Sequence, residues 1–351
     1  MDTIRFGLIG AGAIADISAG EINEHDQAEV VAMQDLNPDR LKALADKHQI
    51  AHTFATSEEL LACDEVDAVY IAVPNKFHAP LAIQALEAGK HVILEKPFAM
   101  SLQEAEEVAA VARTSGKCFT LGMNLRFLEE VQRIKSVVED GELGEVYHGK
   151  AYWFRRSGIP KLGTWFGNKE LAGAGAINDI GVHYLDACLY LMNNFEPASV
   201  SGVTYTKFGN RGLGEGDWGN SDKEAITFDV DDFASALIKM KNGATVHLEV
   251  TWACHTAEEN RQGIELFGTE AGASLSPAKL YRPGSKPNDY HAVEIGSRSN
   301  RFPHGNRFHN FINHLTGDEP LAMNLEQGLA VQKILDAVSE SSRTGREVVF
   351  D

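Results

Sequence analysis

The chain has 351 residues and a hydrophobic content of 44%, enough for two domains of ordinary globular composition. Its 32 basic and 50 acidic residues give a formal net charge of −18, which argues against nucleic acid binding because that requires clustered Lys and Arg. No apolar run approaches the length of a membrane span. We therefore expect a protein that binds neither nucleic acid nor membrane.

The first apolar run, Ile4–Ile9, predicts a buried strand. Because it begins almost at the first residue, we expect no signal or transit peptide. The four cysteines show neither metal-site spacing nor a disulfide framework, so we expect them to be reduced in a cytoplasmic protein. His309 and His314 are five positions apart on a predicted helix and do not share a face. We predict no metal site.

A glycine loop, Gly10-x-Gly12-x-x-Ala15, follows this strand and leads into a helical stretch. Gly10 allows a tight turn, and Gly12 lets backbone N–H groups approach a pyrophosphate at the helix N-terminus. A second apolar run ends just before Asp35, close to the spacing of an acid that holds the adenine ribose. The pattern predicts dinucleotide binding, although a packing turn at the loop and a turn residue at Asp35 are simpler alternatives.

Strands and helices then alternate, with Gly and Pro between them. Apolar runs at 68–73, 91–94 and 117–121 predict strands, and helical periodicity follows at 79–88 and after Ser101, whose spacing to Glu104 is that of a capping box. This alternation predicts a doubly wound parallel sheet, an α/β Rossmann domain over residues 1–122.

Ligands of parallel sheets bind at the carboxyl ends of the strands. The run Glu95-Lys96-Pro97 directly follows the predicted strand 91–94, and the proline restricts Lys96 to extended conformations and makes a cis bond possible. A lysine there is placed to act on a substrate hydroxyl beside a nicotinamide; a surface lysine before a turn is the alternative. The residues at predicted strand ends are Gly10, Asp35, Asn75 and Lys96.

The pattern changes in the second part of the chain, residues 123–351, which we assign to an α+β domain for substrate binding and oligomerisation. Strands are predicted at 146–155, 198–207, 232–241, 245–253 and 263–268, with a hairpin turn at Asn242-Gly243. They predict an open, mostly antiparallel sheet. Helices on only one side would leave an apolar face, so we expect a homodimer or homotetramer through this sheet.

Two other segments carry weaker predictions. Residues 210–222 are rich in glycine and charge and predict a loop that is either mobile or reaches a neighbouring site. The C-terminal helix, at 325–341, is expected to pack back against the first domain. Substrate contacts are predicted from polar and aromatic positions that suit a sugar, with core packing or an ion pair as the alternative: Asn124, Arg126, Arg156 and Trp165.

Over nearly its whole length the chain resembles the Gfo/Idh/MocA family of NAD(P)-dependent sugar and polyol oxidoreductases. The resemblance rests on four segments in the family's order: Gly10–Ala15, Val73–His78, Glu95–Pro97 and Gly173–Asp186. In the last segment alanines are interleaved with the family's glycines. The resemblance implies a cis Lys96–Pro97 bond and, from the last segment, an acid and a histidine at Asp179 and His183.

The resemblance implies that Lys96, Asp179 and His183 are catalytic and also contact the substrate. His183 takes the alcohol proton, Asp179 orients the His183 ring or holds a substrate hydroxyl, and Lys96 stabilises the alkoxide. A capping role for Asp179 and a core role for His183 are the alternatives. The expected NAD contacts are Gly10, Gly12, Ala13, Ile14, Asp35, Leu36, Val73, Pro74, Asn75, His78, Glu95 and Lys96.

These features predict an oxidoreductase that converts a secondary alcohol of a sugar, polyol or sugar derivative to a ketone. NAD is expected rather than NADP, because Asp35 repels a 2′-phosphate, Leu36 and Asn37 offer it no cation, and Arg40 is expected to be solvated. Two alternatives are an NAD-dependent glycoside hydrolase with transient oxidation and a non-catalytic NAD-binding sensor.

Overall fold

The computed structural model describes residues 3–217, 227–286, 288–296, 301–317 and 319–350. The chain divides into two compact units. The first comprises residues 1–123 and 306–329, and the second comprises residues 124–305 and 330–351. Segment 306–329, which we expected in the second domain, therefore belongs to the first unit.

The first unit contains a six-stranded parallel sheet with the strand order β3-β2-β1-β4-β5-β6. Its strands are β1 (Ile4–Ile9), β2 (Ala28–Gln34), β3 (His52–Phe54), β4 (Ala68–Ile71), β5 (His91–Leu94) and β6 (Phe119–Leu121). The helices that accompany it are α1 (Ala13–Asn23), α2 (Pro38–His48), α3 (Ser57–Leu61), α4 (His78–Glu87) and α5 (Leu102–Ser115), with a 3₁₀ turn at Asn75–Phe77. The predicted parallel Rossmann sheet is confirmed.

The helix α9 (Arg307–Thr316) explains why the later segment belongs here. Phe308, Phe311 and Ile312 are fully buried in the core of the sheet. The ring of Phe308 meets Tyr70 edge-on at a centroid distance of 5.0 Å. Our prediction placed this helix in the second domain, which is wrong. Its apolar face packs in a core formed by residues more than 180 positions earlier in the chain, and local periodicity does not reveal such a contact.

The second unit contains a nine-stranded sheet with the order β14-β13-β12-β11-β7-β10-β9-β8-β15. Every neighbouring pair is antiparallel except β7 and β10, so the prediction of a mostly antiparallel sheet is confirmed. Its strands are β7 (Val146–Arg155), β8 (Pro197–Tyr205), β9 (Phe233–Met240), β10 (Thr245–Thr251), β11 (Asn260–Gly268), β12 (Gly272–Ser274), β13 (Lys279–Pro283), β14 (Tyr290–Glu294) and β15 (Val348–Val349).

The helices α8 (Val182–Met192) and α10 (Leu325–Thr344) pack on one face of this sheet, at Gly149 and Gly202. The unit also contains α6 (Glu129–Glu139) and α7 (Lys169–Ala172), with 3₁₀ turns at Leu125–Phe127, Trp165–Gly167 and Gly209–Arg211. The first residues of α10, up to 329, are grouped with the first unit. The helix α8 lies close on β7, because a Cβ on Gly149 would come within 2.7 Å of Cys188 Sγ and Met192 Sδ.

The opposite face of the sheet presents large side chains at its surface. Strand register places Val203, Leu237 and Phe267 on this face, and each is about two fifths exposed. The predicted hairpin is also present: β9 pairs with β10 through Asn242-Gly243, where Gly243 has a φ of +91°. Of the glycine-rich loop predicted at 210–222, residues 218–222 lie outside the described residues. The part before them pairs with the chain near Ile159 through Glu215.

Candidate active site

The glycine loop turns the chain sharply between β1 and α1. Gly10 has a φ of +100°, and a Cβ there would lie 2.3 Å from the carbonyl oxygen of Ala72, so only glycine fits. At Gly12, the N-cap of α1, no atom of the described part of the chain lies within 4 Å of an added Cβ. The N-terminal N–H groups of an 11-residue helix therefore border open space, as a pyrophosphate requires.

Asp35 lies at the end of β2, beside this loop. Its Oδ2 accepts the Ala11 N–H at 2.7 Å, and its Oδ1 accepts the Asn37 N–H at 2.7 Å. Arg40 pairs with Oδ1 at 3.2 Å, although we expected Arg40 to be only solvated. Leu36 beside it is 87% exposed. The loop and the acid thus fit a dinucleotide, and a cation stands next to the acid.

The end of β5 carries the Lys96–Pro97 bond, which is cis, as expected. Lys96 is half-buried, and Asn75 after β4 is buried. His78 is 1% exposed, with Nδ1 2.7 Å from the Pro97 carbonyl oxygen and Nε2 3.0 Å from that of Val73. Burial lowers the pKa of His78. His78 therefore ties two strand ends together through backbone oxygens, and its contact with NAD stays a prediction.

Glu95 points into the first unit rather than out of it. It is buried, and its Oε1 lies 2.8 Å from Arg307 Nη2. Arg307 also donates to the Gly122 carbonyl at 2.8 Å, and Tyr70 donates its hydroxyl to Glu95. The Lys96 backbone N–H donates to Glu95 Oε2 at 3.1 Å. The glutamate thus anchors the strand end that carries the lysine.

In the second unit, Asp179 lies on a turn of unusual geometry, and His183 follows it at the start of α8. A π-helix, Ile177–Gly181, runs directly into α8. Such turns are rare and are frequent at functional sites. Asp179 and His183 are half-buried, whereas the residues around them, Ile180, Gly181 and Val182 among them, are buried. The two polar side chains therefore share the accessible side of an otherwise buried segment.

The Asp179 carboxylate has defined neighbours. The Nε1–H of Trp252, a fully buried residue after β10, donates to Asp179 Oδ2 at 2.8 Å. Arg155 at the end of β7 interacts electrostatically with Asp179, and burial lowers the pKa of Arg155. Neither Trp252 nor Arg155 was predicted as a site residue from the sequence. An Asp that accepts an indole N–H and interacts electrostatically with a guanidinium is suited to orient a substrate hydroxyl or an imidazole.

The predicted substrate residues have different surroundings. Arg126 is fully buried and bidentate to Asp186, with Nη2–Oδ1 at 2.6 Å and Nε–Oδ2 at 2.9 Å. The structure thus corrects its assignment, since a guanidinium without exposed surface belongs to the core. Arg156 is exposed and donates to the backbone oxygens of Thr256 and Ala257. Trp165 stacks on the neighbouring Phe166 ring, and Asn124 is exposed. Their substrate contacts stay predictions.

Over the described ranges, no group of three or more His, Cys, Asp or Glu side chains is arranged to hold a metal ion. Within the same residues, no helix has the length and apolar character needed to cross a membrane.

A glycine loop, an acid at the end of β2 and this strand order define an NAD-binding Rossmann domain in an oxidoreductase with a second, sheet-forming unit. Family models agree. Residues 4–123 match an oxidoreductase family with an NAD-binding Rossmann fold, and residues 131–274 match the GFO/IDH/MocA C-terminal domain. The chain belongs to the Gfo/Idh/MocA family.

Individual relatives act on sugars. The chain is 33% identical to D-glucoside 3-dehydrogenase of Escherichia coli over 98% of this chain and 97% of that protein. It is 30% identical to glucose-6-phosphate 3-dehydrogenase of Bacillus subtilis over 75% of this chain and 72% of that one. A levoglucosan dehydrogenase, solved with NADH and levoglucosan, has the same fold, with a TM-score of 0.85, 22% identity and 99% of each chain covered. The chain is thus similar to sugar dehydrogenases.

Proposed function

We propose that this protein is an NAD-dependent dehydrogenase that oxidises the secondary ring alcohol at carbon 3 of a glucoside to a ketone. Two relatives named as 3-dehydrogenases support the ring position, one of them along nearly the whole chain. The observation that carries the proposal is the half-buried pair of Asp179, on the π-turn, and His183, at the start of α8, in a segment whose neighbouring residues are buried. A protein that only bound NAD would not need this pair.

The roles follow from the chemistry of the side chains. His183 accepts the hydroxyl proton, since an imidazole changes its protonation near neutral pH. Asp179, held by Trp252 and near Arg155, orients the imidazole or a substrate hydroxyl. The Lys96 ammonium stabilises the negative charge that develops on the substrate oxygen. NAD, when bound by the glycine loop and Asp35, supplies the acceptor for the hydride.

The proposed cofactor preference is for NAD over NADP. Asp35 is anchored by two backbone N–H groups beside the glycine loop, and its charge disfavours a 2′-phosphate. Arg40 opposes this preference, but it is paired with the same carboxylate. The remaining substrate contacts are proposed for Asn124, Arg156 and Trp165, which, unlike Arg126, retain exposed or half-exposed surface.

The test is NADH formation with a panel of methyl glucosides, glucose 6-phosphate and inositols. We expect turnover with a methyl glucoside and none with its 3-deoxy analogue, whereas the 2-deoxy and 4-deoxy analogues retain at least weak turnover. Oxidation of the 3-deoxy analogue would refute the ring position. Glycoside cleavage without net NADH would indicate the hydrolase alternative, and NAD binding without any reaction across the panel would indicate a sensor.

We also propose a homodimer or homotetramer through the face of the nine-stranded sheet opposite to α8 and α10. Val203, Leu237, Phe267 and Tyr281 are each about two fifths exposed there, which is costly for a lone chain. Light scattering at micromolar concentration should give a multiple of the 38.3 kDa chain mass. Leu237→Glu should shift that mass toward a single chain, and a wild-type mass of one chain would contradict the proposal.

A further inference from the structure

A buried aspartate outside the family motifs holds the backbone that leads into the π-turn. Asp231, 7% exposed, lies two residues before the start of β9. Its Oδ1 accepts the Gly175 N–H at 2.7 Å, and its Oδ2 accepts the Ile177 N–H at 3.0 Å. Its backbone oxygen accepts the N–H of Ala176 at 2.9 Å. One residue therefore binds three consecutive backbone N–H groups, the last of them two residues before Asp179.

This contact requires glycine at position 175. A Cβ built there would lie 1.9 Å from the backbone oxygen of Asp231. The backbone of the segment before the π-turn thus packs directly on the backbone of Asp231, and the Asp231 carboxylate accepts two of its N–H groups. The glycine-rich approach to Asp179 has a steric reason in this contact.

Trp252 contacts Asp179 directly. Its indole N–H donates to Asp179 Oδ2 at 2.8 Å, and its backbone N–H donates to the Asp232 carbonyl at 2.9 Å. The Thr251 hydroxyl donates to the same carbonyl at 2.9 Å. Asp231 and Trp252 are therefore joined through the backbone of Asp232. One contact fixes the chain before Asp179, and the other fixes its carboxylate.

The choice of residue at 231 is costly for stability. Burial raises the pKa of Asp231 to about 6, against the opposing effect of the two backbone N–H groups. An asparagine would avoid the buried charge, but it has only one oxygen to accept with, and its NH₂ group would face an N–H. A carboxylate is the side chain that accepts both N–H groups at once.

We propose that Asp231 and Trp252 are positioning residues that together fix Asp179 in its working orientation, a pair called here the Asp231–Trp252 clamp. The catalytic part of this inference rests on the proposed function. The structural part, that Asp231 holds segment 175–179, does not depend on any substrate.

The experiment compares Asp231→Asn with Asp232→Asn. Asp232 is a matched control, since it is also buried and accepts backbone N–H groups, but from Lys207, Phe208 and Gly209. Amide hydrogen exchange of the full-length protein is followed by mass spectrometry. We expect Asp231→Asn to speed exchange at 175–179 by roughly tenfold or more, the effect of losing one hydrogen bond to a charged group. Asp232→Asn should speed exchange at 207–209 instead.

Kinetics provide the second readout. Trp252→Phe keeps an aromatic ring in the core but removes the N–H donor, so kcat should fall by about 10–100-fold while the Kd for NAD is unchanged. Asp231→Asn should likewise lower kcat and leave the Kd for NAD unchanged. Asp232→Asn should keep kcat within about threefold of the wild-type value, which is less than half the change in activation free energy that a tenfold rate change requires. If Asp231→Asn does not fold, Trp252→Phe decides.

The outcomes separate the two proposals. Unchanged exchange at 175–179 in Asp231→Asn, or a Trp252→Phe enzyme with wild-type kcat, would overturn the clamp even in an active dehydrogenase. If the wild type oxidises no sugar, the proposed function fails, and the exchange pattern still decides whether Asp231 holds the segment.

Discussion

The sequence predicted a substrate contact for Arg126, whereas the structure pairs Arg126 with Asp186 in the core, and this difference can be tested directly. Their side chains are 0% and 1% exposed, and two charge-assisted hydrogen bonds join them. The guanidinium also lies over the Tyr190 ring at 4.9 Å. Arg126→Met keeps most of the side-chain length but leaves the Asp186 carboxylate buried without its cation. Removing one partner of such a pair costs about 3–5 kcal/mol.

Urea unfolding followed by circular dichroism measures this loss. The double variant Arg126→Met with Asp186→Leu is the control, because removing both charges should recover most of the stability. A substrate role for Arg126 makes the opposite prediction: a stability loss under about 1 kcal/mol, as for exposed charges, together with a large rise in KM for the sugar. That result would refute the placement of Arg126 in the core.

Three further predictions concern the site. His183→Ala should lower kcat by roughly 10²–10⁴-fold, the usual range for loss of a general base, with NAD affinity nearly unchanged; parallel loss of NAD binding would exclude this role. The kcat/KM of the wild type should be higher with NAD than with NADP. Asp35→Ser should raise the ratio of kcat/KM with NADP to kcat/KM with NAD by roughly tenfold, because Arg40 is released to pair with a 2′-phosphate. The double variant with Arg40→Ala should lose this gain. Burial raises the folded-state pKa of Asp231 from 3.8 to about 6, so its stabilisation is complete below pH 3.8 and is lost as the pH rises through 6. The unfolding free energy of wild type minus that of Asp231→Asn should therefore fall by about 2.4 kcal/mol between pH 4 and pH 7, and a flat difference would contradict the burial of this carboxylate.

Local patterns were sufficient for the central strands. The predicted bounds of β1, β5 and β7 coincide with the observed ones. Each is a continuous apolar or alternating run ended by Gly or a charged residue, and both sheets are built around such runs. The strands β13 and β14 were missed because their side chains are mostly exposed and carry no alternation, so nothing in their composition distinguishes them from a loop.

The candidate site was predictable only where the chemistry is local. The glycine loop and the spacing of Asp179 and His183 are contiguous motifs, and the family resemblance gave them roles. Trp252 lies 73 positions from Asp179, and as an apolar residue after a buried strand it gives no sign of its hydrogen bond. Asp231 and Asp232 were visible only as two acids at the start of a predicted strand, a position that is equally typical of a solvated turn.

Glu95 and Lys96 are neighbours in one motif but have different surroundings. From the sequence, both residues were expected to contact the cofactor. The structure turns Glu95 toward Arg307, which belongs to α9 and closes the core beneath the strand ends. A buried carboxylate is tolerated there because a guanidinium and a tyrosine hydroxyl compensate it. Since the same carboxylate also accepts the backbone N–H of Lys96, a change at Glu95 acts on the lysine through its backbone. The core of the first unit thereby fixes the direction from which Lys96 leaves the sheet.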